Sequence, residues 1–171
     1  MAQDSFASTC PCYNKGVVVR EEKELEVGND FALLPEVVNQ CLLNIRAEEK
    51  KIYEIKIGLF ELLVNAIEYG NLEITSEEKE KIYKKEDYYQ YTLKKGKKYK
   101  DRKIRVRSYL DKSVFSVEIE DKGPGFAPKK IPPEDFECER GRGIFLACSV
   151  FDEVNYLGKG NRVKATKRLN S

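Results

Sequence analysis

Residues 103–121, KIRVRSYLDKSVFSVEIED, alternate apolar and polar side chains on both sides of an Asp111-Lys112 turn. A period of two in both arms predicts a β-hairpin with one buried face. Residues 153–169, EVNYLGKGNRVKATKRL, repeat the pattern around Gly158-Lys159-Gly160-Asn161 and predict a second hairpin. VVVREEKELEV (17–27) alternates enough for a further strand or a bent pair. An apolar sheet face must be covered, and three stretches of helical period can cover it. Residues 33–46 place Val37, Val38, Cys41, Leu42 and Ile45 on one helical face, with Asn29 and Asp30 as caps and Pro35 in the first turn. A second helix is expected from about Lys50 to Tyr69, with Gly70 as its C-cap. GRGIFLACSVFD (141–152) opens with glycine and becomes an apolar helix. The order strand, helix, helix, hairpin, helix, hairpin predicts an α+β, two-layer sandwich. Its sheet is mixed and mostly antiparallel, with helices on one face.

A chain of 171 residues, 41% hydrophobic, has enough apolar surface for one core without staples. Residues 1–16 read as a loose arm and 17–171 as a single domain. A formal net charge of +2 provides no strong field for nucleic acid or membrane. The chain contains no histidine, which excludes a Ser-His-Asp triad, a Cys-His pair, a histidine metal ligand and a phosphoacceptor histidine within it. Cys10 and Cys12 form a CPC pair, but no second pair completes a zinc set. Cys41, Cys138 and Cys148 read as small apolar residues. The first residues lack the basic start and apolar stretch of a secretory signal. No apolar run reaches the length of a membrane span. The expectation is a reduced, cytoplasmic protein that engages neither membrane nor nucleic acid directly.

Residues 73–102 are dense in charge and tyrosine and too poor in aliphatic residues for a core of their own, so they read as an insertion. Ser76 is expected to cap a short helix, followed by a basic loop, KKGKKYKDRK (94–103). Tyr83, Tyr88, Tyr89 and Tyr91 are expected to pack the insertion down rather than to form a partner surface.

Within the second helix, Glu54, Gly58, Glu61, Asn65 and Glu68 are separated by alternating steps of four and three, which makes one straight stripe. Such a stripe is commonly only the wet face of an amphipathic helix. Two other short pieces stand beside it. Asp121-Lys-Gly123-Pro-Gly125-Phe126 runs from a strand into a glycine loop, and Gly141-Arg-Gly143-Ile144 opens a helix. Each alone is a common turn or helix entry, and neither is a GxxxxGK[ST] phosphate loop or a dinucleotide GxGxxG.

In this order the three pieces resemble the boxes of the GHKL (Bergerat-fold) ATP-binding domain shared by gyrase, a heat-shock chaperone, histidine kinases and a mismatch-repair protein. The resemblance covers roughly residues 25–168. Within that family GRGIFLACSVFDEV and the short stretch between Gly125 and Gly141 look most like the anti-sigma-factor serine/threonine kinases. The resemblance implies ATP and Mg2+ as cofactors. It implies Asn65 as the magnesium ligand and Glu61 as general base toward an attacking hydroxyl. Asp121 would accept the adenine amino proton, while Gly123 and Gly125 let backbone approach the base and ribose beside Phe126. Gly141, Gly143 and Ile144 would bring backbone N–H groups to the phosphates, flanked by Arg140 and Arg142. Tyr69 stands where histidine is frequent in the family, and Gly160-Asn161 where Gly-Thr is frequent; Asn161 can still hydrogen-bond near Asp121. The implied partners are an anti-sigma-antagonist protein of the STAS type, a sigma factor or similar regulator, and a second copy of the chain in a homodimer. A non-catalytic, nucleotide-gated binding module is the alternative that the same residues allow.

Overall fold

The computed structural model describes residues 21–83, 87–126 and 142–170. Five strands form one antiparallel sheet: β1 (Glu21–Val27), β2 (Ile104–Leu110), β3 (Val114–Glu120), β4 (Glu153–Leu157) and β5 (Arg162–Arg168). Their spatial order is β1-β2-β3-β5-β4, and every described pairing is antiparallel. Both expected hairpins are present. At the first turn Asp111 Oδ1 accepts the backbone N–H groups of Ser113 and Val114, each at 2.8 Å.

The period of two sorts the sheet. Ile104, Val106, Phe115, Val117, Ile119, Val163 and Ala165 are buried on the helical side. The other face is a charge lattice in which Glu24 lies opposite Arg107, Arg105 opposite Glu120, and Glu118 opposite both Arg107 and Lys164. Opposite charges directly across strands support the register. Part of the chain's high charge content lies on this face and in the insertion.

Among the described residues α1 (Leu34–Cys41), α2 (Glu49–Asn65) and α5 (Arg142–Val150) all contribute to the core on the apolar face. α1 has Pro35 in its first turn as expected but stops before residue 46. Asn44 there takes φ 70°, a left-handed conformation asparagine tolerates, and turns the chain out. Asp30 caps a preceding 3-10 turn by accepting from Ala32 N–H at 2.9 Å, whereas Asn29 is used elsewhere. α2 (Glu49–Asn65) buries Ile55, Leu59, Leu62 and Leu63. It continues as a wider π-turn, Ala66–Asn71. Gly70 is therefore inside the helix, not a C-cap; the left-handed residue that ends the turn is Glu73, at φ 50°. Gly58 lies against Val150 and Phe151, where a Cβ would stand 3.0–3.1 Å from their side chains. That fit seats α5 (Arg142–Val150) against α2.

The insertion differs from the sequence expectation. It holds two helices, α3 (Ser76–Tyr83) and α4 (Tyr88–Lys98). Thr75, not Ser76, makes the N-terminal cap: its Oγ1 accepts from Glu78 N–H at 3.1 Å and its own N–H donates to Glu78 Oε2 at 2.9 Å. The first half of the basic loop, 94–98, is the last turns of α4, begun by Asp87, which accepts from Tyr89 N–H. Tyr88 and Tyr91 pack against the core as expected, while Tyr89 is exposed. Cys41 is buried, which pushes its thiol up to about 11, whereas Cys148 is exposed rather than core-forming. No helix among the described residues is long and apolar enough to cross a membrane. The CPC pair, Cys138, Arg140, Gly141 and the 1–16 arm lie outside the described residues, as does the Arg142 side chain.

Candidate functional site

A cavity of about 520 Å3 opens between the end of α2, the start of α5, the end of β3 and the start of β5. It has the size of a small-molecule site. Glu61, Asn65, Asp121, Gly125, Phe126, Gly143, Ile144 and Asn161 all line it, so three separated sequence pieces converge there. From Gly58 onward the stripe of α2 faces α5 and this cavity, while Glu54 at its start stays partly exposed beside Lys50.

The wall around Asp121 is made by glycines. A Cβ on Gly70 would stand 2.6–2.7 Å from the Asp121 carboxylate oxygens, and one on Gly123 would meet the Gly70 backbone. Only bare backbone lets the π-turn close on the strand end; single-turn π-bulges often mark functional sites. Asp121 is nearly buried, and its Oδ1 accepts from Gly123 N–H at 2.7 Å. Burial pushes its carboxyl above the usual aspartate range, opposed by that hydrogen bond and by the charge of Lys159. Asn161 holds the Asp121 backbone: Asp121 N–H donates to Asn161 O and Asn161 Nδ2 donates to Asp121 O, both at 2.9 Å. Gly125 (φ 79°) and Gly160 (φ 88°) then let the loop lie against the β4–β5 turn. Phe126 meets Tyr156 edge to face at 5.0 Å.

At the other end a Cβ on Gly143 would meet Glu61 Oε2 and stand 3.6 Å from Asn65 Nδ2. The start of α5 is therefore pressed close to both side chains. Burial raises the Glu61 carboxyl above its ordinary range; the positive charge of Lys79 opposes this and the negative charge of Glu68 adds to it. Asn65 Nδ2 is buried without a hydrogen-bond partner. An orphaned polar atom in a native interior calls for an explanation, and an amide rotated by half a turn presents oxygen instead. Among the described residues no three His, Cys, Asp or Glu side chains gather to hold a metal ion. Asn65 fits magnesium in another way, since that ion takes one or two protein oxygens and fills its shell with phosphate and water.

Two features escaped the sequence reading. Glu68, last on the stripe, is buried and held by Lys79 Nζ at 2.7 Å and the Tyr88 hydroxyl at 2.6 Å. Its place in the four-three series was the available signal; its partners lie in the insertion and gave none. Asn71 is fully buried and donates to Asn29 Oδ1, while its own Oδ1 accepts from Lys122 N–H, both at 2.8 Å. Asn29 Nδ2 in turn reaches the carbonyls of Tyr99 and Arg102. Nothing local marks an asparagine at a helix end for that task.

A comparison with protein-family models matches residues 30–167 to the histidine kinase-like ATPase domain. The comparison with curated proteins found no match. The match spans most of the chain and contains all three converging pieces, with the open antiparallel sheet and one-sided helices in place. The chain belongs to the histidine kinase-like ATPase domain family, an ATP-binding fold.

Proposed function

We propose that the protein is an ATP-dependent serine/threonine kinase of the anti-sigma-factor type, acting on a hydroxyl of a STAS-type antagonist protein. The observation that carries the reading is the approach of Gly143 to Glu61 and Asn65, at one end of a cavity that reaches Asp121 at the other. Asp121 accepts the exocyclic amine of adenine, with its carboxylate steadied by Gly123. The first N–H groups of α5 take phosphate oxygens. Asn65 would hold the magnesium ion, which would supply positive charge against the phosphates. Glu61, its proton affinity already raised by burial, removes the proton from the attacking hydroxyl. The hydroxyl oxygen bonds to the γ-phosphorus, the bond from that phosphorus to the β–γ bridging oxygen breaks, and ADP leaves with the bridging electrons. Positioning and charge stabilisation do most of this work in phosphoryl transfer.

The kinase subclass rests on the likeness of residues 141–154 to the last helix of anti-sigma kinases. The sigma factor, the homodimer and residues 17–171 as one domain belong to the same proposal. The test is incubation of the protein with labelled ATP, Mg2+ and antagonist-domain proteins. Glu61→Ala should bind ATP and transfer no phosphate. Equal transfer by that variant would remove Glu61 as base. ATP binding without any transfer by the unaltered protein would replace the kinase with a nucleotide-gated binding module.

A further inference from the structure

The insertion returns to the cavity that its sequence gave no reason to connect it with. Ser76 and Lys79 of α3 line the same space as Glu61 and Asn65. Lys79 Nζ stands 2.7 Å from Glu68 Oε2 and is flanked by the rings of Tyr69 at 5.8 Å and Tyr88 at 5.4 Å. Tyr88 of α4 takes the other carboxylate oxygen of Glu68. The two helices are also locked together, because Glu78 of α3 accepts from both Lys95 and Tyr91 of α4.

Among the described residues three carboxylates line the cavity: Glu61, Glu68 and Asp121. A nucleoside polyphosphate is itself an anion, so the site needs cations. Arg162 also lines the cavity, but its guanidinium pairs with Glu118 on the far face of the sheet. Lys79 is placed on the near side. Glu68 lies three residues from Asn65 along the stripe, about 4.5 Å of helix rise. It falls between the Gly70–Asp121 end and the Glu61 end, level with the middle of a nucleotide stretched between them. The influence of Lys79 on the proton affinity of Glu61 agrees with that placement.

We propose that Lys79 is a phosphate-binding residue, whose ammonium, held in the cavity by Glu68, contacts the polyphosphate of a nucleotide bound between Asp121 and Glu61. An ammonium has three N–H donors, so holding Glu68 does not exclude phosphate. The proposal rests on the ATP-binding reading. It makes the inserted α3–α4 pair part of the nucleotide site, and binding of phosphate then steadies both helices.

The experiment measures the affinity of the full chain for ATP, ADP and adenosine by calorimetry with Mg2+. Lys79→Met should weaken ATP and ADP by about ten-fold or more, as expected for a lost charge-assisted contact, and leave adenosine unchanged. Lys79→Arg should restore most of the loss. Because Lys79→Met strands the buried Glu68 carboxylate, the double variant Glu68→Gln/Lys79→Met should show the same phosphate-specific loss in a chain without that charge. Glu68→Gln alone should bind ATP at least as tightly as the unaltered protein. Hydrogen exchange over residues 76–98 should slow with ATP and not with adenosine. Equal weakening of all three ligands, or loss of ATP binding by Glu68→Gln, would make the ion pair a structural clasp and overturn the proposal. Unchanged ATP affinity in both lysine-to-methionine variants would also overturn it while leaving ATP binding intact. An unaltered protein that bound none of the three ligands would overturn the ATP reading with it.

Discussion

Gly70→Ala separates two explanations of a glycine inside a helix. By helix propensity alone the change stabilises, since Gly costs about 1 kcal/mol relative to Ala in a helix interior. The geometry opposes that gain. The new methyl would stand 2.6 Å from Asp121 Oδ1, against 3.4 Å for ordinary contact, so the carboxylate must withdraw by about 0.8 Å. Asp121 is nearly buried and its Oδ1 is held at 2.7 Å by Gly123 N–H. Withdrawal breaks or stretches that bond, and a hydrogen bond to a charged group contributes about 1.5–3 kcal/mol. The net expectation is a loss of about 0.5–2 kcal/mol in stability. The misplaced carboxylate should also weaken ATP by about ten-fold or more. Gly96→Ala is the control: a Cβ there meets Asn29 atoms only at 3.8–3.9 Å, so α4 should gain up to about 1 kcal/mol without any change in binding. Urea denaturation followed by circular dichroism, with calorimetric titration of ATP, reads both quantities. If Gly70→Ala were stabilised as much as Gly96→Ala and bound ATP normally, the close approach of the π-turn to Asp121 would have no energetic meaning and the reasoning fails.

Asp121→Asn should weaken ATP by more than ten-fold, since one charge-assisted hydrogen bond is worth about 1.5–3 kcal/mol; unchanged affinity in calorimetry would place adenine elsewhere. Asp152 supplies a pH test of the sheet edge. Its carboxyl is held below the ordinary range, first by the Arg168 N–H at 2.6 Å and also by Lys167. The folded form therefore releases its proton more readily than the unfolded chain, so its contribution is present above the unfolded value of 3.8 and disappears as pH falls through the lower folded value. The stability difference between the protein and Asp152→Asn, measured by denaturation across pH, should shrink on acidification; a difference that grows there contradicts the assignment.

The sheet and its hairpins were legible because one face is buried and the other is wet, so a period of two survives in the residues themselves. Glu61, Asn65, Asp121 and Gly143 were legible for a different reason. Each lies in a short piece whose residue types have a joint chemical use, and the order of the pieces carries more information than any one. What the sequence hid was long-range. Gly70 read as a helix cap because glycine and helix end coincided, whereas its reason is a carboxylate on another strand. The second helix of the insertion was hidden because YYQYTLKKGKK has no clean apolar stripe. Asp87 caps it locally, but what holds it in place is the set of bonds from Lys95 and Tyr91 to Glu78 of α3, which a local window does not contain.

The insertion is joined to the site at its root as well as at its tip. Chain entry and exit are tied where Arg102 donates to the Asn71 carbonyl at 2.9 Å and pairs with Glu73. Asn71 also accepts the Lys122 N–H, one residue past Asp121. The base end of the cavity and the root of the insertion thus share one buried asparagine, while Glu68, Lys79 and Tyr88 join the insertion to the middle. Surface loops ordinarily tolerate added length because they touch little. These thirty-odd residues touch the cavity through two polar networks. Replacing them with a short linker would remove both partners of Glu68 together with the Ser76 and Lys79 wall of the cavity. The insertion is therefore a structural condition of this cavity as well as an addition to its surface.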